Sequence, residues 1–204
     1  MPIIKIVYFP FMKFNSLISR VKRKMKIFRV RTIITAHQLA NTTKVDRYPE
    51  IFLTVKDLHI LSYPKILSFG CSTGEECFTL RQYFTSADII GLDVDIENIK
   101  VAKSQMLDKN GYIVFDTSSE LSLKKHGPYD IIFCMSVLCR WPETENLDDC
   151  SSIYSFTKFE DQIKILDRYL TVNGVLVIYN ANFLFMETQI SRFYNPIALF
   201  CDKG

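Results

Sequence analysis

Two stretches of this 204-residue chain hold residue types at spacings that suit a small polar ligand. The first is Gly70-Cys71-Ser72-Thr73-Gly74-Glu75-Glu76, where two glycines flank a small polar turn. Glycine lets the backbone turn sharply and lets a ligand approach the main chain. The second is Gly91-Leu92-Asp93-Val94, whose acid follows the glycines by about 20 residues. A carboxylate there can accept two ribose hydroxyl hydrogen bonds at once. The competing role for Asp93 is an N-cap of the next helix, but Asp95 is better placed for that. The ligand role is therefore favoured.

These residues need a scaffold, and the apolar pattern supplies one. Lys65–Gly70, Asp88–Asp93, Tyr112–Phe115, Tyr129–Cys134 and Val175–Tyr179 read as five short strands. Between them, Glu75–Phe84 reads as a helix with Cys77, Leu80 and Phe84 on one face. Ile96, Ile99, Ala102 and Met106 mark a second buried stripe, and Phe159, Ile163, Leu166 and Leu170 a third. Asn173-Gly174 is a tight turn before the last strand. Strands alternating with helices give an α/β, doubly wound, mostly parallel sheet. Continuous apolar runs fit strands buried on both faces. Ligands bind such sheets at the carboxyl ends of the strands, near a topological switch point.

These motifs together resemble the Rossmann-like S-adenosylmethionine-dependent methyltransferases. Ser72 stands where a third phosphate-binding glycine would mark a dinucleotide enzyme. Phe115-Asp116, with Thr117 after it, is similar to the third-strand end that meets the adenine amino group. Tyr129-Asp130-Ile131-Ile132-Phe133-Cys134 is similar to the strand beside the methyl donor. Within that class, the Gly70–Glu76 loop resembles that of the chemotaxis receptor methyltransferases, which esterify glutamate side chains. Asn41, Thr43 and Arg47 also keep that subgroup's spacing ahead of the sheet.

The resemblance implies S-adenosyl-L-methionine as cofactor. The positions that would meet it are Asn41, Thr43, Arg47, Gly70, Cys71, Ser72, Gly74, Glu75, Glu76, Asp93, Val94, Asp116, Thr117, Cys134, Ser136 and Val137. Arg47 is also the candidate catalytic residue, lying by the methionine end or the acceptor carboxylate. One of Glu75 and Glu76 would balance the methionine ammonium, since Ser68 replaces the usual acid of the first strand. A first-turn glutamate also suits the helix dipole, and a surface ion pair is the competing role for Arg47. The implied reaction is O-methylation of a carboxyl group, with a protein carboxylate as the favoured acceptor. A carboxylate is ionised at neutral pH and needs no general base.

The chain departs from the subgroup in three places, the first being that the subgroup's N-terminal helical domain is shortened here to a basic helix. Met135-Ser136-Val137-Leu138 replaces its usual Arg-Asn-Val-Leu, so a hydroxyl stands where an amide would touch the cofactor. After Asn180-Ala181-Asn182 only 22 residues remain, so the sheet either lacks its last strands or is closed by something else. The fourth strand lacks the Asn/Asp-Pro-Pro-aromatic ending used on amino groups. Two other readings compete: a non-catalytic cofactor- or partner-binding module, and an RNA or small-molecule methyltransferase.

Other features bound the function. Hydrophobic residues make up 48% and charged residues 23%, which excludes a wholly disordered chain. Net charge is only +3, yet eight Lys or Arg and no acid lie between Lys13 and Arg31. Phe14, Leu17, Ile18, Val21, Met25 and Phe28 share that segment at helical spacing, giving a basic amphipathic helix. Residues 1–40 thus form a basic helical extension and residues 41–204 the cofactor-binding domain. The basic face is either a solvated surface or a site for an acidic partner, nucleic acid or anionic membrane. No apolar run is long enough to span a membrane. The six cysteines form no CxxC pair or zinc-spaced cluster, which points to a reduced, cytoplasmic protein. Trp141 is placed in a loop, at the substrate mouth or packed on the domain. The acidic loop 143–149 is read as a solvated lid or surface loop. His37, His59 and His126 are expected on loops or helix surfaces.

Overall fold

A strand buried on both faces sends alternate side chains into opposite layers, and the central strands here do so. In the computed structural model, which describes residues 4–10, 36–58, 61–106 and 112–199, Ile66, Ile89, Ile131 and Phe133 enter one layer. Leu67, Ile90, Ile132 and Cys134 enter the other. The expected basic helix over residues 13–31, and His59, lie outside the described residues.

In chain order the elements are β1 (Ile4–Pro10), α1 (Pro49–Leu58), β2 (Lys65–Phe69), α2 (Glu75–Tyr83), β3 (Asp88–Asp93) and α3 (Ile96–Gln105). Then come β4 (Ile113–Thr117), α4 (Glu120–His126), β5 (Tyr129–Met135), α5 (Phe156–Asp167), β6 (Leu170–Ala181) and β7 (Tyr194–Leu199). The sheet has seven strands in the order β4-β3-β2-β5-β6-β1-β7. Every strand pair is parallel. The chain runs outward from β2 through β3 to β4, then returns to β5 on the other side of β2. The crevice above β2 and β5 is the switch point at which such sheets take ligands.

One layer is covered by α1, α2 and α3 through Phe52, Val55, Leu80, Ile99 and Ala102. The other is covered by α4 and α5 through Leu123, Phe159, Ile163 and Leu166. Helix starts are capped as their sequences suggest. Asp95 accepts from the Glu97 N–H at 2.9 Å, Ser119 from Ser122 at 3.0 Å and Ser155 from Lys158 at 3.2 Å. Among the described residues, no helix is long and apolar enough to cross a membrane.

The five expected strands form, and β1 and β7 extend the sheet beyond them. β1 lies inside the segment expected to be helical and pairs with both β6 and β7. The sheet edge is therefore closed by the N-terminal strand and the C-terminal one. Three details differ from the sequence pattern. Ile96 and Met106 are exposed, because α3 presents only Ile99 and Ala102 inward and ends at Gln105. Leu170 starts β6 instead of ending α5, since the helix stops at Asp167. Asn173 and Gly174 form an outward bulge within β6: Leu170 faces Tyr129 and Val175 faces Ile131, with Asn173 at φ +67°.

Gly91 shows how tightly the layer beneath the site is packed. A Cβ there would lie 2.6 Å from Phe115 Cδ1 and 2.8 Å from Cys77 Sγ. Gly91→Ala is expected to destabilise the fold by about 1–3 kcal/mol, the usual scale of overpacking. Thermal unfolding checks this, and an unchanged midpoint would show that Phe115 moves aside freely.

Candidate functional site

The loop after β2 is stitched to the end of β3 by its backbone. The Gly70 and Cys71 N–H groups both donate to the Leu92 carbonyl, at 2.7 and 3.0 Å. Gly70 has φ +80°, and a Cβ on it would fall 2.4 Å from Val137 Cγ2. Only glycine fits there. Ser72 follows at φ +51° and its N–H donates to Asp93 Oδ2 at 2.9 Å.

Asp93 is buried, and its Oδ1 accepts from the Asp95 N–H at 2.8 Å and Asn98 Nδ2 at 3.3 Å. Burial raises its pKa, while these donors pull it back. Capping of α3 falls to Asp95. Asp93, Val94, Gly70, Ser72, Ser136 and Val137 line a cavity of about 320 Å³, a size that suits a small-molecule ligand.

One wall of this cavity is a strap, residues 36–42, of which sequence spacing singles out only Asn41. Arg140 and Lys158 both donate to the Ala36 carbonyl, at 3.4 and 2.8 Å. Gln38 Nε2 reaches Cys139 Sγ at 3.1 Å. At its far end, Asn41 accepts from the Ser72 hydroxyl and donates to Asn98 Oδ1 at 2.8 Å. His37 is buried, not on a loop surface as expected, because its ring finds two polar partners inside. Its Nε2 donates to Gln162 Oε1 at 3.2 Å and its Nδ1 accepts from the Tyr154 hydroxyl. Burial and the cations Lys158 and Arg140 lower its pKa to about 4.

A smaller cavity of about 40 Å³ adjoins the first, sharing Thr42, Gly70, Ser72 and Met135. Thr43, Arg47, Tyr48, Cys71 and Glu76 also line it. Arg47 donates to the Thr42 carbonyl at 2.8 Å and lies 5.1 Å from the centre of the Tyr48 ring. Glu76 accepts from the Ser68 hydroxyl at 2.8 Å. Burial pushes its carboxyl up to about 7, against the pull of Ser68 and Arg47. Glu75 instead accepts from the Thr73 hydroxyl at 2.8 and 2.7 Å. Of the two glutamates, only Glu76 faces a cavity.

Four other expected positions stand apart from both cavities. Gly74 is the N-cap of α2, facing Phe115 and Ala102. Asp116 is taken by His126 Nε2 at 3.0 Å and Lys125 at 3.1 Å, which hold its carboxyl down to about 2. Thr117 follows it, and Ser118 takes the lining position instead. Cys134 is buried in the α4–α5 layer, where desolvation raises its thiol pKa. Residues that sequence reasoning passed over include Asn98, Met135, Tyr48 and Glu143. Asn98 had a readable signal, since a polar residue five positions after Asp93 faces back across the first turn of α3.

A profile of the methyltransferase domain family matches residues 62–201. No curated protein matches the chain. Among solved structures, PKMT2 from Rickettsia typhi is similar over 63% of this chain and 24% of its own, at 22% identity and a TM-score of 0.48. This chain thus spans about a quarter of that protein, 24% of its length. The plantazolicin methyltransferase BpumL, solved with SAH, is similar over 53% of this chain and 35% of its own, at 20% identity and a TM-score of 0.38. A precorrin-6y C5,15-methyltransferase from Geobacter metallireducens GS-15 is similar over 68% and 66%, at 13% identity and a TM-score of 0.46.

The His37 geometry sets a pH dependence for the strap. Its folded pKa, about 4, lies below the ordinary 6.5. Between those values the unfolded chain binds more protons, so stability falls as pH drops from 6.5 towards 4. Amide protection factors over residues 36–42, corrected for the intrinsic pH dependence of exchange, should fall across that window, and His37→Gln should flatten the change. Protection that is constant from pH 7 to 4 would show that His37 does not pin the strap.

Proposed function

We propose that this chain, which belongs to the methyltransferase domain family, transfers a methyl group from S-adenosyl-L-methionine. The observation that carries this reading is Asp93, held by Ser72, Asp95 and Asn98 at the floor of the larger cavity. The donor set and the crowding at Gly70 fit the cofactor. Asp93 would hold the ribose hydroxyls. Gly70, Cys71 and Ser72 bring bare backbone close to the ligand, and Val94 and Val137 offer apolar walls. Glu76 would hold the ammonium of the methionine end, and Arg47 its carboxylate, with Asn41 and Thr43 closing over them. When bound, the sulfonium supplies an electrophilic methyl group. The chain has to align an acceptor with it and exclude water, and the strap is placed to do the second.

The acceptor in this reading is a carboxyl oxygen on a protein. Such a group needs no base, and the histidines at hand are already engaged. His37 is bonded to Tyr154 and Gln162, and His126 to Asp116. The eight cations between Lys13 and Arg31 suit an acidic protein.

Calorimetry with S-adenosylmethionine tests the cofactor. Asp93→Ala should weaken binding by about 1–3 kcal/mol, the scale for losing hydrogen bonds to a charged group. Affinity should also rise with pH through about 7, as Glu76 ionises to meet an ammonium, and Glu76→Gln should remove that rise. Binding indifferent to Asp93→Ala would sink the ribose role.

The acceptor class is read from the product. With methyl-labelled S-adenosylmethionine and a glutamate-rich protein, label should be released by mild alkali as methanol, the behaviour of a methyl ester. Arg47→Lys keeps the charge but loses the two-point fork, and it should lower the yield about tenfold. Alkali-stable label would replace the carboxyl acceptor with another nucleophile.

A further inference from the structure

Where the two cavities meet, three polar side chains from three elements converge. Tyr48, next to the start of α1, places its hydroxyl 3.0 Å from Ser136 Oγ. Ser136 directly follows β5. Asn180, near the end of β6, donates to the same Oγ from Nδ2 at 3.2 Å. Ser136 has φ +57° and Asn180 φ +54°. Two neighbouring strands thus end in left-handed, non-glycine residues whose side chains bond one another. Such backbone conformations cost energy and cluster where a side chain must be aimed. Tyr48 is fixed by its own contacts, with Tyr179 at 4.6 Å between ring centres and the Arg47 guanidinium at 5.1 Å.

Counting hydrogens shows what this cluster offers. A serine hydroxyl has one proton and two lone pairs, and a tyrosine hydroxyl also has one proton. Asn180 fills one Ser136 lone pair. The Tyr48–Ser136 bond uses one of the two hydroxyl protons. The phenol is the stronger acid and the weaker acceptor, so Tyr48 donates and fills the second lone pair. Burial pushes the Tyr48 hydroxyl up to about 12, so it keeps this proton at neutral pH. The Ser136 oxygen is then saturated as an acceptor. Its own proton has no partner among the described residues, and Ser136 lines the larger cavity.

We propose that the Ser136 hydroxyl, held by Tyr48 and Asn180 as a donor with no acceptor capacity left, binds an oxygen of a carboxylate acceptor at the junction of the two cavities. The proposal rests on the cofactor reading above and gives Ser136 a different duty from the cofactor contact its position resembles. A hydroxyl with both lone pairs filled donates to an anionic oxygen and turns away an ammonium, whose protons find no lone pair there. Tyr48 and Asn180 are positioning residues. They act through the direction of the Ser136 proton.

Acetate is the probe, titrated by calorimetry into the protein with and without saturating S-adenosylhomocysteine. Ser136→Gly removes the hydroxyl and suits the left-handed backbone, so the fold survives it. It should weaken acetate binding about tenfold while changing S-adenosylhomocysteine affinity less than twofold. Tyr48→Phe releases the serine rotor and should weaken acetate about threefold, with cofactor affinity and melting temperature unchanged. Equal losses of acetate and S-adenosylhomocysteine affinity in Ser136→Gly would make Ser136 a cofactor contact and overturn the proposal. Acetate binding that ignores both substitutions, or is absent while S-adenosylhomocysteine binds, also overturns it. A protein that fails to bind S-adenosylhomocysteine at all loses the cofactor reading itself.

Discussion

The bond from the Ser72 N–H to the Asp93 carboxylate joins two strand ends that the covalent chain leaves 21 residues apart. The loop after β2 turns through three positive-φ residues, Gly70, Ser72 and Gly74. A loop of that kind has unpaired N–H groups to satisfy. Leu92 takes two of them through its carbonyl and Asp93 takes the third. The acid is therefore a structural anchor as well as a ligand candidate. One of its oxygens serves the loop and the other serves the start of α3. A hydroxyl ligand arriving there meets a carboxylate whose direction is already fixed, which lowers the ordering cost of binding.

The same economy shapes the pair of glutamates. Glu75 closes on Thr73 within its own turn. Glu76 points inward and accepts from the Ser68 hydroxyl on β2. A buried carboxylate with one donor and a more distant guanidinium is poorly paid for in the free protein, so its pKa rises to about 7. A cation in the small cavity would restore its charge. The ammonium of the proposed cofactor is such a cation.

The five central strands were legible because each carries an apolar run that two layers must share. The loop, Asp93 and Asp95 were legible because strand-to-helix turns restrict which residue types fit. β1 was not, since it lies in the segment assigned to a helical extension and carries Lys5 and Pro10. Pairing in the sheet accommodates Pro10 at the end of the strand, beside a register shift. Pro196 is accommodated because β7 is an edge strand, opposite a second irregularity. The partners of Asp116 were hidden for a different reason: Lys125 and His126, in the last turn of α4, both reach it. That pairing depends on the path of the helix across the sheet and leaves no trace in local spacing.

The strap and the Ser136 cluster define opposite boundaries of one space. Along the strap, the fixed groups are tied to the β5–α5 side, to α3 and, through Ser72, to the loop after β2. Ala36 is held by Arg140 and Lys158, Gln38 by Cys139 and Asn41 by Asn98. Beneath it, Tyr48 and Asn180 set Ser136 from α1 and β6. The strap thus depends on long, cationic and amide side chains, while Ser136 is set by Tyr48 and Asn180, neither of which bonds the strap. Asp93 differs: Asn98 and Ser72 each bond both Asn41 on the strap and the Asp93 carboxylate. The direction of the Ser136 proton therefore rests on groups outside the strap, whereas the Asp93 carboxylate is coupled to it.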